Sequence, residues 1–154
     1  AYHLPLDVHP QFGNNAQLGK KLGLIETGRF GDQDIALLGE LPQATTLCAL
    51  GEKISRTLLR KPMMIGDPNR TIRQIAWCTG AAQNYFDEAI QQGADAFITG
   101  EISEQSVHVA RESGVAFIAA GHHATERYGV QALGDHIAQK FAIHHQFIDI
   151  GNPV

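Results

Sequence analysis

Cysteine is scarce in this chain of 154 residues: Cys48 and Cys78 are the only two, and they stand far apart. Without a C-x-x-C spacing they form neither a zinc knuckle nor a redox pair, and they read as two small buried hydrophobes. Long apolar runs are missing as well, since none approaches the roughly 20 residues that a membrane helix requires. The opening AYHLPLDVHP has neither the basic nor the apolar region of a signal peptide, so a cytoplasmic protein is expected. Basic charge is thin, with 12 Lys and Arg against 16 Asp and Glu, a net charge of -4 and a pI near 6.0. That balance argues against nucleic acid, which calls for a clustered basic face. The densest basic stretch, Arg56 to Lys61, reads as a solvated helix end. No P-loop is present. What remains is ordinary globular composition, 44% hydrophobic and 18% charged, enough for one domain with a real core. The chain opens at Ala1 with no methionine, and Tyr2-His3-Leu4 reads as the tail of a strand already under way. It is therefore expected to be part of a longer polypeptide.

The pattern predicts a helix over 14–22, capped by Asn14-Asn15, with Lys20 and Lys21 in its last turn and a stop at Gly23. Strands are predicted over 24–30 and 34–40, with a break at Pro42. A helix over 45–59 buries the stripe Leu47, Leu50, Ile54, Leu58. Met63-Met64-Ile65 reads as a strand and 66–69 as a turn. From Ile72 the alternation is regular. Strand 72–78 leads to a helix opened by Thr79-Gly80 and running to Gln92. Strand 94–99 is followed by a helix from Ser103 to near Gly114. Strand 115–120 is followed by a helix over 122–140, and 146–150 is predicted as a closing strand. Such alternation predicts an α/β fold whose sheet is mostly parallel or mixed, with helices on both faces. Residues 1–70 form a metal-ligand loop and linking segment, and 71–154 a βαβ-rich half. Ligands of such sheets gather at the carboxyl ends of the strands. Thr79-Gly80, Gly100-Glu101 and Gly121-His122 are thereby expected along one rim.

Two constellations carry chemistry. In Gly121-His122-His123-Ala124-Thr125-Glu126, His122 and Glu126 are four apart, on one helix face, directly after a buried strand. An imidazole and a carboxylate so placed suit one or two divalent ions, and also suit a plain surface pair. In His3-Leu4-Pro5-Leu6-Asp7-Val8-His9-Pro10, three polar groups are interleaved with prolines and apolar residues, as in a rigid, partly buried loop. A metal and a hydrogen-bonded loop with an aspartate cap both satisfy that pattern. Glu101 ends a strand at the same rim, where a carboxylate can serve as general base, as an orienter of a neighbouring ligand, or simply as a favoured acid at a helix start. His3, His9 and His123 are candidates for residues that orient the ligands. Thr79-Gly80-Ala81-Ala82 offers a weak signal for a phosphate on free N–H groups. Trp77 and Tyr85 read as core.

Taken in order, HLPLDVHP, GNNAQL, WCTG, GADAFITGEISEQ, AAGHHATER and FIDIGNP resemble the C-terminal two-thirds of Nif-three-like dinuclear-metal proteins, also called GTP cyclohydrolase type-two homologues. The resemblance implies a Nif-three-like fold whose N-terminal part is missing here. It implies that Asp7, His122 and Glu126 are metal ligands, with the glutamate bridging two divalent ions; zinc, manganese, iron and magnesium are not distinguished. The family's paired-histidine motif followed by glycine is absent. His144-His145 is followed by Gln146 and is read as structural or exposed. The chain is thus expected to bind metal poorly unless another segment or subunit completes the set. A homo-oligomer, a hexameric ring by resemblance, is the implied partner, and a nucleotide the possible substrate. The implied function is a metal-dependent hydrolase of GTP cyclohydrolase type; the alternative is a non-catalytic metal-binding scaffold or interaction protein.

Overall fold

The apolar residues of strands 71–77, 96–99 and 116–119 sort to opposite sides with period two, which explains why these runs need cover on both faces. In the computed structural model, which describes residues 3–154, Ile75, Trp77, Ile98 and Ile118 belong to one core cluster. Ala76, Cys78, Phe97 and Phe117 belong to another on the opposite face. The first face is covered by α2 (Asn14–Leu22), α3 (Leu47–Leu58) and α7 (Tyr128–Phe141), through Leu18, Leu22, Leu50, Ile54 and Tyr128. The second is covered by α4 (Phe86–Gln91) and α5 (Glu104–Ser113), through Phe86, Ala89 and Ala110. The result is the expected α/β fold with a layer of helices on each side.

The six-stranded sheet has the order β1 (Ile25–Phe30), β2 (Ala36–Thr46), β4 (Thr71–Trp77), β5 (Ala96–Thr99), β6 (Ala116–Ala119), β3 (Met63–Ile65). The central β4-β5-β6 ladder is parallel; β1-β2, β2-β4 and β3-β6 are antiparallel, so the sheet is mixed. Strands from 1–70 flank the parallel centre on both sides, and a single sheet runs through both segments. No helix among the described residues is long and apolar enough to cross a membrane.

Local signals act largely as read. α2 spans the expected residues and stops at Gly23 in the left-handed region (φ 65°), but its N-cap is Gly13, and the side chains of Asn14 and Asn15 turn inward instead of capping. Thr46 and Ser103 cap α3 and α5 by accepting the N–H of Ala49 and Ser106. Other expectations are corrected. Leu4 begins a short helix, α1 (Leu4–Asp7), where the tail of a strand was expected; Pro5 in the first turn favours that start, and Tyr2 lies outside the described residues. Pro42 does not end β2, which continues to Thr46 through an irregularity between Glu40 and Thr45, where a missing N–H breaks no ladder bond. Residues 79–82 are not helical; a 3-10 turn over Gln83–Tyr85 precedes α4. The helix expected over 122–140 divides at Arg127 into α6 (His122–Glu126) and α7. Residues 146–150 form no strand: Ile148 and Ile150 are exposed, and the segment is held by the Asp149 carboxylate on His123 and Arg127 instead of by a ladder. Cys48 is exposed, and only Cys78 is the buried hydrophobe expected of both.

On the second face Phe97 packs between Phe86 and Phe117, with ring centroids 5.9 and 5.8 Å away, and is fully buried. Phe97→Ala is expected to reduce unfolding stability by about 3–5 kcal/mol in urea denaturation. A loss below about 1 kcal/mol would contradict this packing.

Candidate metal centre

The rim begins where β4, β5 and β6 stop. Their ladder continues past the strand ends: Gly100 N–H donates to the carbonyl of Gly80 (2.9 Å), and Gly121 N–H donates to that of Gly100 (2.9 Å). Two of these glycines are required by geometry. A Cβ on Gly100 would lie 2.6 Å from the Gly80 carbonyl oxygen and 2.7 Å from the His122 Cα. Gly80 has φ +71°, and a Cβ there would enter the Glu126 carboxylate. The expected alignment of Thr79-Gly80, Gly100-Glu101 and Gly121-His122 is therefore present. The phosphate reading of 79–82 fails, because the N–H groups of Thr79, Gly80 and Ala82 already donate to the side chains of Asn15, Thr125 and Thr99.

Onto this rim α6 projects His122 and Glu126 one turn apart, with His122 Nε2 2.8 Å from Glu126 Oε2. On its other side the imidazole meets Glu101: Nδ1 lies 2.7 Å from Oε1, so Glu101 orients the ring. From the far end of the chain come Asp7, on α1, and His3, just before that helix, four positions apart, with Nδ1 3.4 Å from Oδ2. One ligand atom each from His3, Asp7 and Glu126 lie within 4.8 Å of one another. Asp7 is 4% exposed, and its Oδ1 accepts from Asn14 Nδ2 at 2.7 Å.

His3, Asp7, His122 and Glu126, with Tyr85, Cys78, Leu4 and Ile35, line a cavity of about 280 Å³. A larger cavity of about 650 Å³ between α2, β1 and α7 contains none of them, and its size alone does not make it the chemical site. Of the sequence candidates, Asp7, His122 and Glu126 line one cavity, and Glu101 meets His122. His3, foreseen as an orienting residue, places a ring nitrogen within 4.8 Å of carboxylate oxygens of Asp7 and Glu126. His123 is held by Asp149: its Nε2 lies 3.1 Å from Asp149 Oδ1, and it lines a neighbouring cavity with His122, Glu126, Asn152 and Val154. His9 is not in the cavity wall. It stacks on Phe12, and its Nδ1 accepts the N–H of Gln11 and Phe12. His145 rests near Asp135, away from the site. Sequence reasoning missed the roles of Asn14, Asn15 and Thr125. A pair of asparagines at a helix start signals a cap, and only the inward turn of the helix reassigns them.

The donor set fits a divalent ion. It offers carboxylate oxygens and imidazole nitrogens and no thiolate, because burial pushes the Cys78 thiol up to about 12, with the charges of Asp7 and Glu126 adding to the rise. Burial, then the neighbouring Asp7 charge, raise the Glu126 pKa, and His122 only partly counters them. For His122, burial alone would lower the pKa. The hydrogen bond to Glu101 and the charge of Glu126 outweigh it, and the net direction is up. His122 and Glu126 thus keep their protons to higher pH than in water, Glu126 through burial first and the Asp7 charge second, and a cation beside the two carboxylates would offset that charge.

A folded-state pKa raised above the unfolded value stabilises the fold below the unfolded value and loses that contribution as pH rises through the folded one. Both shifts have this sign, for Glu126 upward from 4.5 and for His122 upward from 6.5. The metal-free protein should therefore lose thermal stability as pH rises above 6.5, and Glu101→Gln should flatten this dependence by replacing the charged partner that raises His122 with a neutral one. A metal-free melting temperature that rises over that range would contradict the assignment.

With this geometry in view, the relatives are informative. The chain is 53% identical to a "GTP cyclohydrolase 1 type 2 homolog" of Pseudomonas aeruginosa, covering 99% of this chain and 62% of that protein. It is 50% identical to the protein so named in Haemophilus influenzae, with the same shares covered. Among solved structures it is similar to protein ybgI, of unknown function, at a TM-score of 0.95 and 46% identity, over 100% of this chain and 62% of that one. It is also similar to TTHA1606 from Thermus thermophilus, at a TM-score of 0.87 and 27% identity, over 100% and 61%. The chain thus spans about three-fifths of these relatives (61–62%). The family model described as Duf34/NIF3 (NGG1p interacting factor 3) matches residues 1–153, and the chain belongs to that family.

Proposed function

We propose that this chain contributes the larger share of a dinuclear divalent-metal site, and that the site serves a metal-dependent hydrolase acting on a nucleotide or a related phosphoester. The observation that carries the reading is the position of Glu126. Its carboxylate meets His122 at 2.8 Å, and one of its oxygens also falls within 4.8 Å of ligand atoms of His3 and Asp7. A carboxylate with partners on two sides is suited to bridge two ions.

In this reading Asp7, Glu126, His3 and His122 would hold the ions. Divalent ions bound there would polarise a substrate oxygen and acidify a water molecule. The side chains do the rest. Asn14 holds one oxygen of Asp7, and Glu101 holds the Nδ1 side of His122, so that Nε2 faces Glu126. Leu4, Ile35, Ala81 and Ala82 give the cavity an apolar wall that limits water around the reacting group. The purine-ring opening suggested by the relatives' name is the substrate chemistry to test first. Assembly with copies of the same chain is part of the proposal: β1 and β3 are the edges of the sheet, and Met63 on β3 and the nearby Leu59 are exposed apolar residues. Those exposed residues equally support the second reading, a metal-binding scaffold without turnover.

On the complete gene product, metal analysis after equilibration with manganese or zinc should find two ions per site, and Glu126→Ala should lose them. A panel of nucleotides and phosphoesters should show turnover that falls more than about 100-fold in Glu126→Ala. Turnover that survives this substitution would contradict the hydrolase reading. No turnover, together with metal-dependent assembly, would favour the scaffold.

A further inference from the structure

The side chain at the start of α2 that touches Asp7 is itself fixed from a third element. Asn14 is 4% exposed, its Nδ2 donates to Asp7 Oδ1 at 2.7 Å, and its Oδ1 accepts the backbone N–H of Gly129, in the first turn of α7, at 2.7 Å. The orientation of this amide is decided by chemistry. A backbone N–H can only donate, so the amide oxygen must face Gly129 and the NH2 must face Asp7. The Asp7 oxygen that receives the NH2 is held as an acceptor, and the other oxygen, Oδ2, is left facing His3 Nδ1 at 3.4 Å. Asn14 therefore selects which carboxylate oxygen of Asp7 is offered to the centre and fixes its direction. Its neighbour reinforces the placement. Asn15 donates to the carbonyl of Ile35 and accepts the N–H of Thr79, and its own carbonyl accepts from Trp77 Nε1 at 2.9 Å. The start of α2 is thereby pinned on both sides, and Asn14 has no freedom to follow Asp7 if Asp7 turns.

The space around the amide is equally restrictive. Gly129 lies where a Cβ would meet Asn14 Oδ1 at 2.8 Å and Cγ at 3.0 Å. This helical glycine lowers helix propensity relative to alanine by about 1 kcal/mol. Its Hα in place of a methyl group is what lets the amide stand between α7 and α1.

We propose that Asn14 is a positioning residue for the metal centre, acting through Asp7, and that Gly129 is the residue that admits it. The proposal rests on the metal reading given above. In the complete gene product, isothermal titration with manganese or zinc compares the unsubstituted protein with Asp7→Asn, Asn14→Leu and Gly129→Ala, while Trp77 fluorescence and metal-free melting report the fold. Asn14→Leu keeps the side-chain size and removes both hydrogen bonds. Gly129→Ala leaves every polar group of the site in place and presses on the Asn14 amide and on its backbone nitrogen, 3.0 Å from the added Cβ. The expected result is a loss of metal affinity of about 10–100-fold in Asn14→Leu and about 10-fold in Gly129→Ala, with the Trp77 signal unchanged. If Asn14→Leu fails to fold, Gly129→Ala decides. Asp7→Asn losing the metal while Gly129→Ala binds as tightly as the unsubstituted protein overturns the positioning role alone. Affinity losses that appear only together with a changed Trp77 signal also overturn it, in favour of a purely structural role. An unsubstituted protein that binds no ion overturns the metal reading, and this proposal with it.

Discussion

Two carboxylates that repel each other are the constraint around which the rest of this fold is arranged. Asp7 comes from the first helix and Glu126 from a helix near the end of the chain, and their oxygens lie within 4.8 Å in a partly enclosed cavity. At an effective dielectric near 20, two full charges at that separation oppose each other by on the order of 3 kcal/mol. The surroundings offset this in part. Asn14 donates to Asp7, and His122 and His3 present imidazoles to the pair. Burial first, and then the Asp7 charge, still move the Glu126 pKa upward. A site that gathers anions and leaves them short of positive charge is prepared for a cation, and family membership is consistent with that chemistry.

The parallel centre of the sheet makes the convergence possible. Because β4, β5 and β6 run the same way, their carboxyl ends lie side by side, and the Gly80, Gly100 and Gly121 backbones continue the ladder beyond them. Glycine at 80 and 100 lets α6 approach until its carboxylate rests against the rim. The antiparallel flank serves the other half of the site: Asn15 ties α2 to Ile35, just before β2, and to Thr79, just after β4, which brings α1 and Asp7 to the same edge. Residues far apart in sequence meet because two layers of helices are docked on one sheet.

Much of this was legible in the sequence where period and spacing are strong. The strands 72–78, 94–99 and 115–120 and the rim that follows them could be read from their regular alternation with helices and their glycine stops, and 115–120 from an unbroken apolar run as well. His122 and Glu126 could be read from helical spacing next to that rim. The same spacing in His3 and Asp7 was present but masked by the two prolines, which suggested a loop where a one-turn helix forms. What could not be read depends on contacts across the chain. Asn14 and Asn15 look like caps until the fold shows that their partners are Asp7, Gly129, Ile35 and Thr79. Thr79-Gly80 looks like a helix start until Asn15 and Thr125 are seen to take its N–H groups, and Thr99 that of Ala82. The segment 146–150 has strand-like alternation but pairs with neither edge strand, and its aspartate finds His123 and Arg127 instead.

A cation seated where the two ends of the chain meet is the central expectation. Anomalous diffraction from manganese-soaked crystals of the complete gene product locates the ion directly. Peaks are expected in contact with the carboxylates of Asp7 and Glu126, with Glu126 touching two of them. Peaks elsewhere, or manganese bound without either carboxylate, would contradict it.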